Sequence, residues 1–369
     1  MSRGRYEQRK QKPKAGKIIL IVLAVFLLLI AAVVIAGVIY YNSMLNKINH
    51  VEVPKIQYTT APTETQIVEE TTSATETVET EPKETEHVPS SEDYINFLIV
   101  GQAARYGDAE RMADTMMLVT FNTYEKSITL TSILRDSFVK PPDYMGKKFG
   151  RIKLNTVYHL GSHYEGSPAG SMELINMTLY NNFGIEVDHN IEVSFDAFMD
   201  IINIMGGIKI EINQAEADYL NADDRYVRYD VEPGLQRLDG MAALSYARMR
   251  KAEGDGESDI KRTERQRKFV SAVLEKAKDM NFEKLQRIAN KVLPMITTSM
   301  TNEEITEMLF KFLPMVTDLK ISKGGVCPAS GWGDMVDIYE DGMYHSVMKF
   351  DENVTKKEMR AITEGELYE

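Results

Sequence analysis

Between Tyr246 and Arg267 the chain reads YARMRKAEGDGESDIKRTERQR, with five arginines and two lysines in 22 residues. The protein as a whole carries a formal charge of −12, so this local cluster of cations points to an anionic ligand. Planar guanidiniums grip phosphate oxygens in pairs, which makes phosphate the first candidate. Arg248 and Arg250 would point about 200° apart on a helix, so facing one ligand together requires extended backbone. Ser258 or Asp259 can cap a following helix, on which Arg262, Arg265 and Gln266 fall at i, i+3 and i+4 on one face. Lys261, Arg262 and Arg265 in its opening turns oppose the helix dipole, and an anion bound at the N-terminus would reverse that penalty. The competing structural reading is a solvated face, with Arg262 and Arg265 paired to Glu257, Asp259 or Glu264.

The elements that must position these side chains are legible as alternation and helical spacing. Asn96 to Gly101, Thr115 to Phe121 and Ser127 to Ile133 read as strands, and Ile191 to Phe195 and Ile208 to Ile212 resume that character. Pro168 to Phe183, Phe198 to Met205, Asp239 to Tyr246, Glu264 to Met280 and Asn302 to Leu313 have helical spacing, and Val336 to Phe350 reads as a hairpin turning at Asp341-Gly342. Strands interleaved with helices predict an α/β fold, a mixed central β-sheet flanked by helices. One domain of some 270 residues, 93–369, holds all of this, without internal repeats.

Ahead of that domain, Ile18 to Tyr40 is an unbroken run of 23 uncharged, mostly apolar residues, enough at ~1.5 Å per residue to cross a ~30 Å hydrocarbon layer. Seven basic residues and one acid, Glu7, precede it. The positive-inside rule therefore predicts a cytoplasmic tail at 1–17, a single-pass transmembrane helix at 18–40 and everything later outside the cell. A cleavable signal peptide, the alternative, has a shorter apolar core of about 7–15 residues. Residues 41–92, rich in Thr and Glu and poor in large apolar side chains, are expected to form an extracellular stalk, with a glycosylated or protein-binding tail as the other reading. Cys327 is the single cysteine, which rules out an intramolecular disulfide. The external part is more acidic than the whole chain once the basic leader is set aside, so a nucleic-acid partner is not expected.

GQAAR at Gly101 to Arg105, ADTMMLVTFN at Ala113 to Asn122, SILRD at Ser132 to Asp136 and KLNTVYHLG at Lys153 to Gly161 are followed by FDAFMDIINIMGGI, GLQRLDGMAALSYARMR and DIKRTERQR. Jointly, over about Tyr94 to Met280, they resemble the LytR-CpsA-Psr family. The resemblance implies a membrane-anchored enzyme outside a Gram-positive cell that transfers a glycopolymer from a polyprenyl-pyrophosphate carrier to peptidoglycan through a phosphodiester bond. By position, it assigns pyrophosphate binding to Arg105, Arg135, Lys153, Arg248, Arg250, Arg262 and Gln266, with Arg265 adjacent. It implies a magnesium ion at Asp114 and catalytic roles for Asp114 and Asp136, although Asp136 reads equally well as a turn or cap residue.

Two positions depart from the family pattern. Ala103 stands where an aspartate is usual, and alanine can neither ligate magnesium nor act as a base. Met112 stands where an arginine is usual, with Arg111 one step earlier. The first departure keeps open a non-catalytic binder of lipid pyrophosphate or wall polymer, beside the transferase and a lipid-pyrophosphate hydrolase. A lipid tail would further need an apolar groove, for which Phe195 to Met205 is a candidate, although such spacing also suits plain core.

Overall fold

The computed structural model describes residues 37, 39–56, 90–102, 113–222, 230–249, 259–315, 318–329, 333–340 and 343–365. It divides into two units, Met1–Lys47 and Ile48–Glu369. Of the first, the described residues are helical as far as Leu45. No helix among the described residues is long and apolar enough to cross a membrane. The span Ile18 to Tyr40 lies outside them, apart from Gly37, Ile39 and Tyr40.

The second unit is built on strands β1 (Asn49–His50), β2 (Tyr94–Gln102), β3 (Ala113–Asn122), β4 (Ser127–Ile133), β5 (Phe138–Val139), β6 (Ile152–Lys153), β7 (His189–Ser194), β8 (Ile208–Ile212), β9 (Gly234–Leu238), β10 (Ile296–Thr298), β11 (Lys320–Cys327), β12 (Gly333–Glu340) and β13 (Met343–Phe350). Seven of them form one sheet in the order β1-β10-β7-β2-β3-β4-β11. It is mixed: β2–β3, β3–β4 and β10–β7 run antiparallel, whereas β2–β7, β4–β11 and β1–β10 are parallel.

Side-chain alternation decides what covers each face. Leu98 and Val100 of β2 and Met116 and Leu118 of β3 pack into a core with Leu154, Val157, Tyr158, Leu174 and Leu179 from helices Leu154–Glu165 and Pro168–Phe183. Those two helices touch through glycine: a Cβ at Gly161 would lie 2.1 Å from the carbonyl oxygen of Gly170. Met117, Phe121 and Leu130 face the other side, against Val270 and Leu274 of helix Asp259–Lys278. A further core joins the β8–β9 ribbon to helices Phe195–Met205, Gln214–Ala222 and Gly240–Arg248 and to Phe269.

The mixed sheet flanked by helices is the architecture expected, and Ser127–Ile133, Ile208–Ile212 and Pro168–Phe183 have the expected bounds. The hairpin is present as β12–β13, with Glu340 opposite Met343. Two expectations need correction. Asn49–His50, inside the predicted stalk, is the edge strand β1: Val51 N donates to Thr298 O at 2.9 Å, and Asn49 Nδ2 donates to the carbonyls of Pro294 and Ile296 at 2.9 and 3.0 Å. Arg248 is not in extended backbone but closes helix Gly240–Arg248, which Asp239 caps by accepting from Ala242 N. Arg248 suits that place because a cation in the last turn complements the helix dipole; Arg250 lies outside the described residues.

Candidate functional site

The site begins with an irregularity where β2 meets β3. Gly101 pairs with Thr115 and Gln102 with Ala113, so Asp114 is an extra, unpaired residue on β3. A bulge turns consecutive side chains out of strict alternation, and Asp114 and Thr115 both line a cavity of about 620 Å³. Regular pairing would direct only one of them there.

Arg135 follows β4, where its carbonyl accepts from Asn155 N at 3.0 Å. Its Nη1 donates to Asp114 Oδ1 at 3.1 Å and its Nε to Asp136 Oδ2 at 3.4 Å. Lys153 Nζ donates to Asp136 Oδ1 at 3.0 Å. The row Asp114–Arg135–Asp136–Lys153 alternates in sign, so each charge is stabilised by its neighbours. Arg135, Asp136 and Lys153 are all absent from the cavity lining, so of this row only Asp114 faces the cavity, and the two expected phosphate-binding cations Arg135 and Lys153 stand behind it.

Helix Asp259–Lys278 supplies the opposite wall. Arg262, Gln266, Phe269, Val270, Val273 and Leu274 line the cavity, a face that is polar near the helix start and apolar beyond. Arg262 is only 5% exposed and Gln266 8%. Gln266 Nε2 donates to Thr115 Oγ1 at 3.0 Å and to Ala247 O at 3.3 Å, tying the helix to β3 and to the end of helix Gly240–Arg248. Arg248, exposed, lies over the Phe195 ring with its guanidinium carbon 4.7 Å from the centroid, a cation–π contact. Asp114, Thr115, Arg248, Arg262 and Gln266 thus share one polar end. The remainder is lined by Ile99, Met117, Val193, Phe195, Phe198, Ile201, Ile202 and Leu244 together with the apolar part of the helix.

The other predicted residues fall elsewhere or beyond view. Arg265 points away from this cavity: its Nη2 donates to Met249 O at 2.8 Å and its Nη1 lies 3.7 Å from Glu216 Oε1, beside a separate pocket of about 460 Å³. Arg262 and Arg265, three apart, therefore do not converge on one ligand as the helical spacing suggested. Arg105, Arg250, Ala103, Arg111 and Met112 lie outside the described residues.

Sequence reasoning overlooked Thr115 and the apolar half of the helical face, although 262, 266, 269 and 273 recur at helical spacing in plain view. The groove expected from Phe195 to Met205 is lined by Phe195, Phe198, Ile201 and Ile202, while Met205 turns into the core around β8.

Chemically, the cavity suits an amphipathic ligand, with an anionic head between Arg248 and Arg262 and a long apolar body behind it. No group of three or more His, Cys, Asp or Glu side chains among the described residues could by itself hold a metal ion. Asp114, with one oxygen on Arg135, fits a magnesium ion as a single protein ligand, the form in which phosphate oxygens complete the shell. Asp136 fits poorly, since Arg135 and Lys153 occupy both its oxygens.

A model of the LytR_cpsA_psr family matches residues 58–349. TagT of Bacillus subtilis strain 168, named as a polyisoprenyl-teichoic acid–peptidoglycan teichoic acid transferase, is 30% identical over 193 residues, 51% of this chain and 54% of that protein. The chain spans about half the length of the curated relatives it matches first. Among solved structures, TagT bound to LIIa-WTA is 25% identical, covering 75% of this chain and 93% of that one with a TM-score of 0.54. TagT with bound octaprenyl pyrophosphate lipid shares the fold at 23% identity and a TM-score of 0.51, covering 75% of this chain and 93% of that one.

Proposed function

The chain belongs to the LytR-CpsA-Psr family, and from that premise we propose that it transfers a glycopolymer from a polyprenyl-pyrophosphate carrier to peptidoglycan, leaving a phosphodiester bond. The observation that carries this reading is the two-part cavity, whose polar end holds Arg248 and Arg262 while its far walls are apolar. The pyrophosphate lies against the guanidiniums and Gln266, and the prenyl tail runs between Phe198, Ile202 and the apolar half of helix Asp259–Lys278. The acceptor hydroxyl, giving up its proton to solvent, attacks the phosphorus that bears the glycan, the bond from that phosphorus to the bridging oxygen breaks, and polyprenyl phosphate leaves. Arg248 and Arg262 neutralise the charge that builds on the leaving phosphate.

Asp114 stands nearest this chemistry. Its carboxylate is held in place by Arg135 on one oxygen. It would hold a magnesium ion jointly with phosphate oxygens, and such an ion withdraws charge from the pyrophosphate. Asp136 and Lys153 keep Arg135 in place. The apolar run Ile18 to Tyr40 supports reading the chain as anchored in the membrane that carries the lipid substrate, with the N-terminus cytoplasmic and the domain outside; protease added to intact cells should then degrade the domain and spare the tail.

Purified full chain supplied with magnesium, a lipid-pyrophosphate-linked glycan and peptidoglycan should release polyprenyl phosphate and yield phosphodiester-linked glycan. Release of free glycan phosphate, independent of peptidoglycan, would instead identify a hydrolase. Ala103 favours a second reading, a binder that does not turn its ligand over. A large gain in turnover in Ala103→Asp, with unchanged lipid affinity, would support it.

A further inference from the structure

The β12–β13 hairpin carries chemistry that the cavity leaves unused. Tyr339 and Tyr344 sit directly opposite one another near its tip, 66% and 76% exposed, with ring centroids 5.0 Å apart. Two cross-strand pairs toward the base, and therefore on the same face, Asp337 lies opposite Ser346, both exposed. Two exposed tyrosines held in register give a fixed apolar surface edged by phenol hydroxyls, a carboxylate and a serine hydroxyl. Sugar rings match this surface, since their C–H faces pack on aromatic rings while their hydroxyls bond the polar edge.

The hairpin is joined directly to the candidate site. Met348 N donates to Asp136 O at 2.8 Å, and Met348 bridges Ser137, next to the carboxylate that holds Arg135 and Lys153. At ~3.3 Å per residue the four residues from Met348 to Tyr344 cover about 13 Å, a reach of a few sugar rings. Phe350, packed 4.9 Å from Phe183 between ring centroids, fixes the base of the hairpin in the core. Charge selects among occupants. On this face the described side chains are Met335, Asp337, Tyr339, Tyr344 and Ser346, with Met348 and Phe350 turned into the body of the domain at the base; one anion and no cation among them disfavours a polyphosphate glycopolymer or an anionic bilayer.

We propose that the Tyr339–Tyr344 face is a docking platform for the acceptor, a peptidoglycan glycan strand, delivering its hydroxyl toward the site at Asp136 and Arg135. The proposal rests on the transferase reading for the identity of the acceptor. The test measures binding of the full chain in detergent to peptide-free glycan strands, to octaprenyl pyrophosphate and to anionic lipid vesicles. In the double variant Tyr339→Ala/Tyr344→Ala, affinity for glycan strands should fall about tenfold, with octaprenyl pyrophosphate binding unchanged; the double Tyr→Phe variant should keep most glycan affinity. Unchanged glycan binding in the double alanine variant, or no glycan binding by the wild type, overturns the platform and leaves the lipid site standing. Loss of vesicle binding in place of glycan binding overturns it too, in favour of a membrane contact. Should the double variant also lose octaprenyl pyrophosphate, Tyr344→Glu decides, because that side chain is largely in solvent: full glycan affinity there sinks the proposal and a loss supports it. A wild type that binds glycan through these tyrosines yet forms no transfer product would retain the platform and refute the transferase.

Discussion

Arg135 stands between two carboxylates, 3.1 Å from Asp114 Oδ1 and 3.4 Å from Asp136 Oδ2, and that placement separates the roles of the two acids. Asp114 lines the cavity, whereas Asp136 acts on it only through Arg135, which holds Asp114. Asp114→Asn should therefore lower the transfer rate by about 10²–10⁴-fold while octaprenyl pyrophosphate still binds. Asp136→Asn should cost about 10–10²-fold through misplacement of Arg135, and Asp136→Glu should recover part of it; equal losses in both asparagine variants would erase the distinction. Arg262→Lys keeps the charge but loses the planar fork, so a tenfold weakening, equivalent to ~1.4 kcal/mol, is expected in a lipid titration. Arg248, exposed and already resting on Phe195, is the more adaptable of the pair.

Among the elements, helix Asp259–Lys278 does most to define the site, because one face joins phosphate-binding groups to a tail-binding wall. Val273→Trp should fill the apolar part, reducing affinity for octaprenyl pyrophosphate at least about tenfold while leaving inorganic pyrophosphate bound as before. Equal effects on both ligands would mean that the tail lies elsewhere. Gly161→Ala drives a methyl into the Gly170 carbonyl, a backbone contact that no rotamer relieves, and should destabilise the domain by about 3 kcal/mol in denaturant unfolding. Much of this level was legible. Alternating residues mark Ile208–Ile212, and a capped apolar run marks Pro168–Phe183. The strands β1 and β10 were not legible, since two or three residues carry no period. In β11, Gly324 and Gly325 sit where the register shifts against β4, which blurs its alternation. No glycine or proline within β3 marks the bulge at Asp114, and Gly101 opposite it on β2 reads from sequence only as a strand end, so a residue chosen for its type acquired its direction through strand pairing.

Over the whole molecule, β1 extends the domain toward the N-terminus. Asn49 and His50, inside the expected stalk, form the edge of the sheet whose centre is β2, so the domain takes in residues ahead of Tyr94; residues 57–89 lie outside the described residues. A chain beginning at Ser90 would lose the hydrogen bonds of Asn49 and Val51, and its melting temperature should fall below that of the full chain, by roughly 2–4 °C per kcal/mol lost; equal values would show that β1 adds nothing. Cys327 offers a readout for such comparisons, because burial pushes its thiol well above the ordinary range, so maleimide labelling should track unfolding and be negligible in the native chain. The claim on which everything else depends is that one cavity holds both halves of the lipid. A crystal structure of the full chain with octaprenyl pyrophosphate would test it most directly. Phosphate oxygens within hydrogen-bond reach of Arg248 and Arg262, with the tail between Phe198, Ile202 and Val273, are the predicted result. Phosphates bound away from both arginines, or a tail outside this cavity, would contradict it.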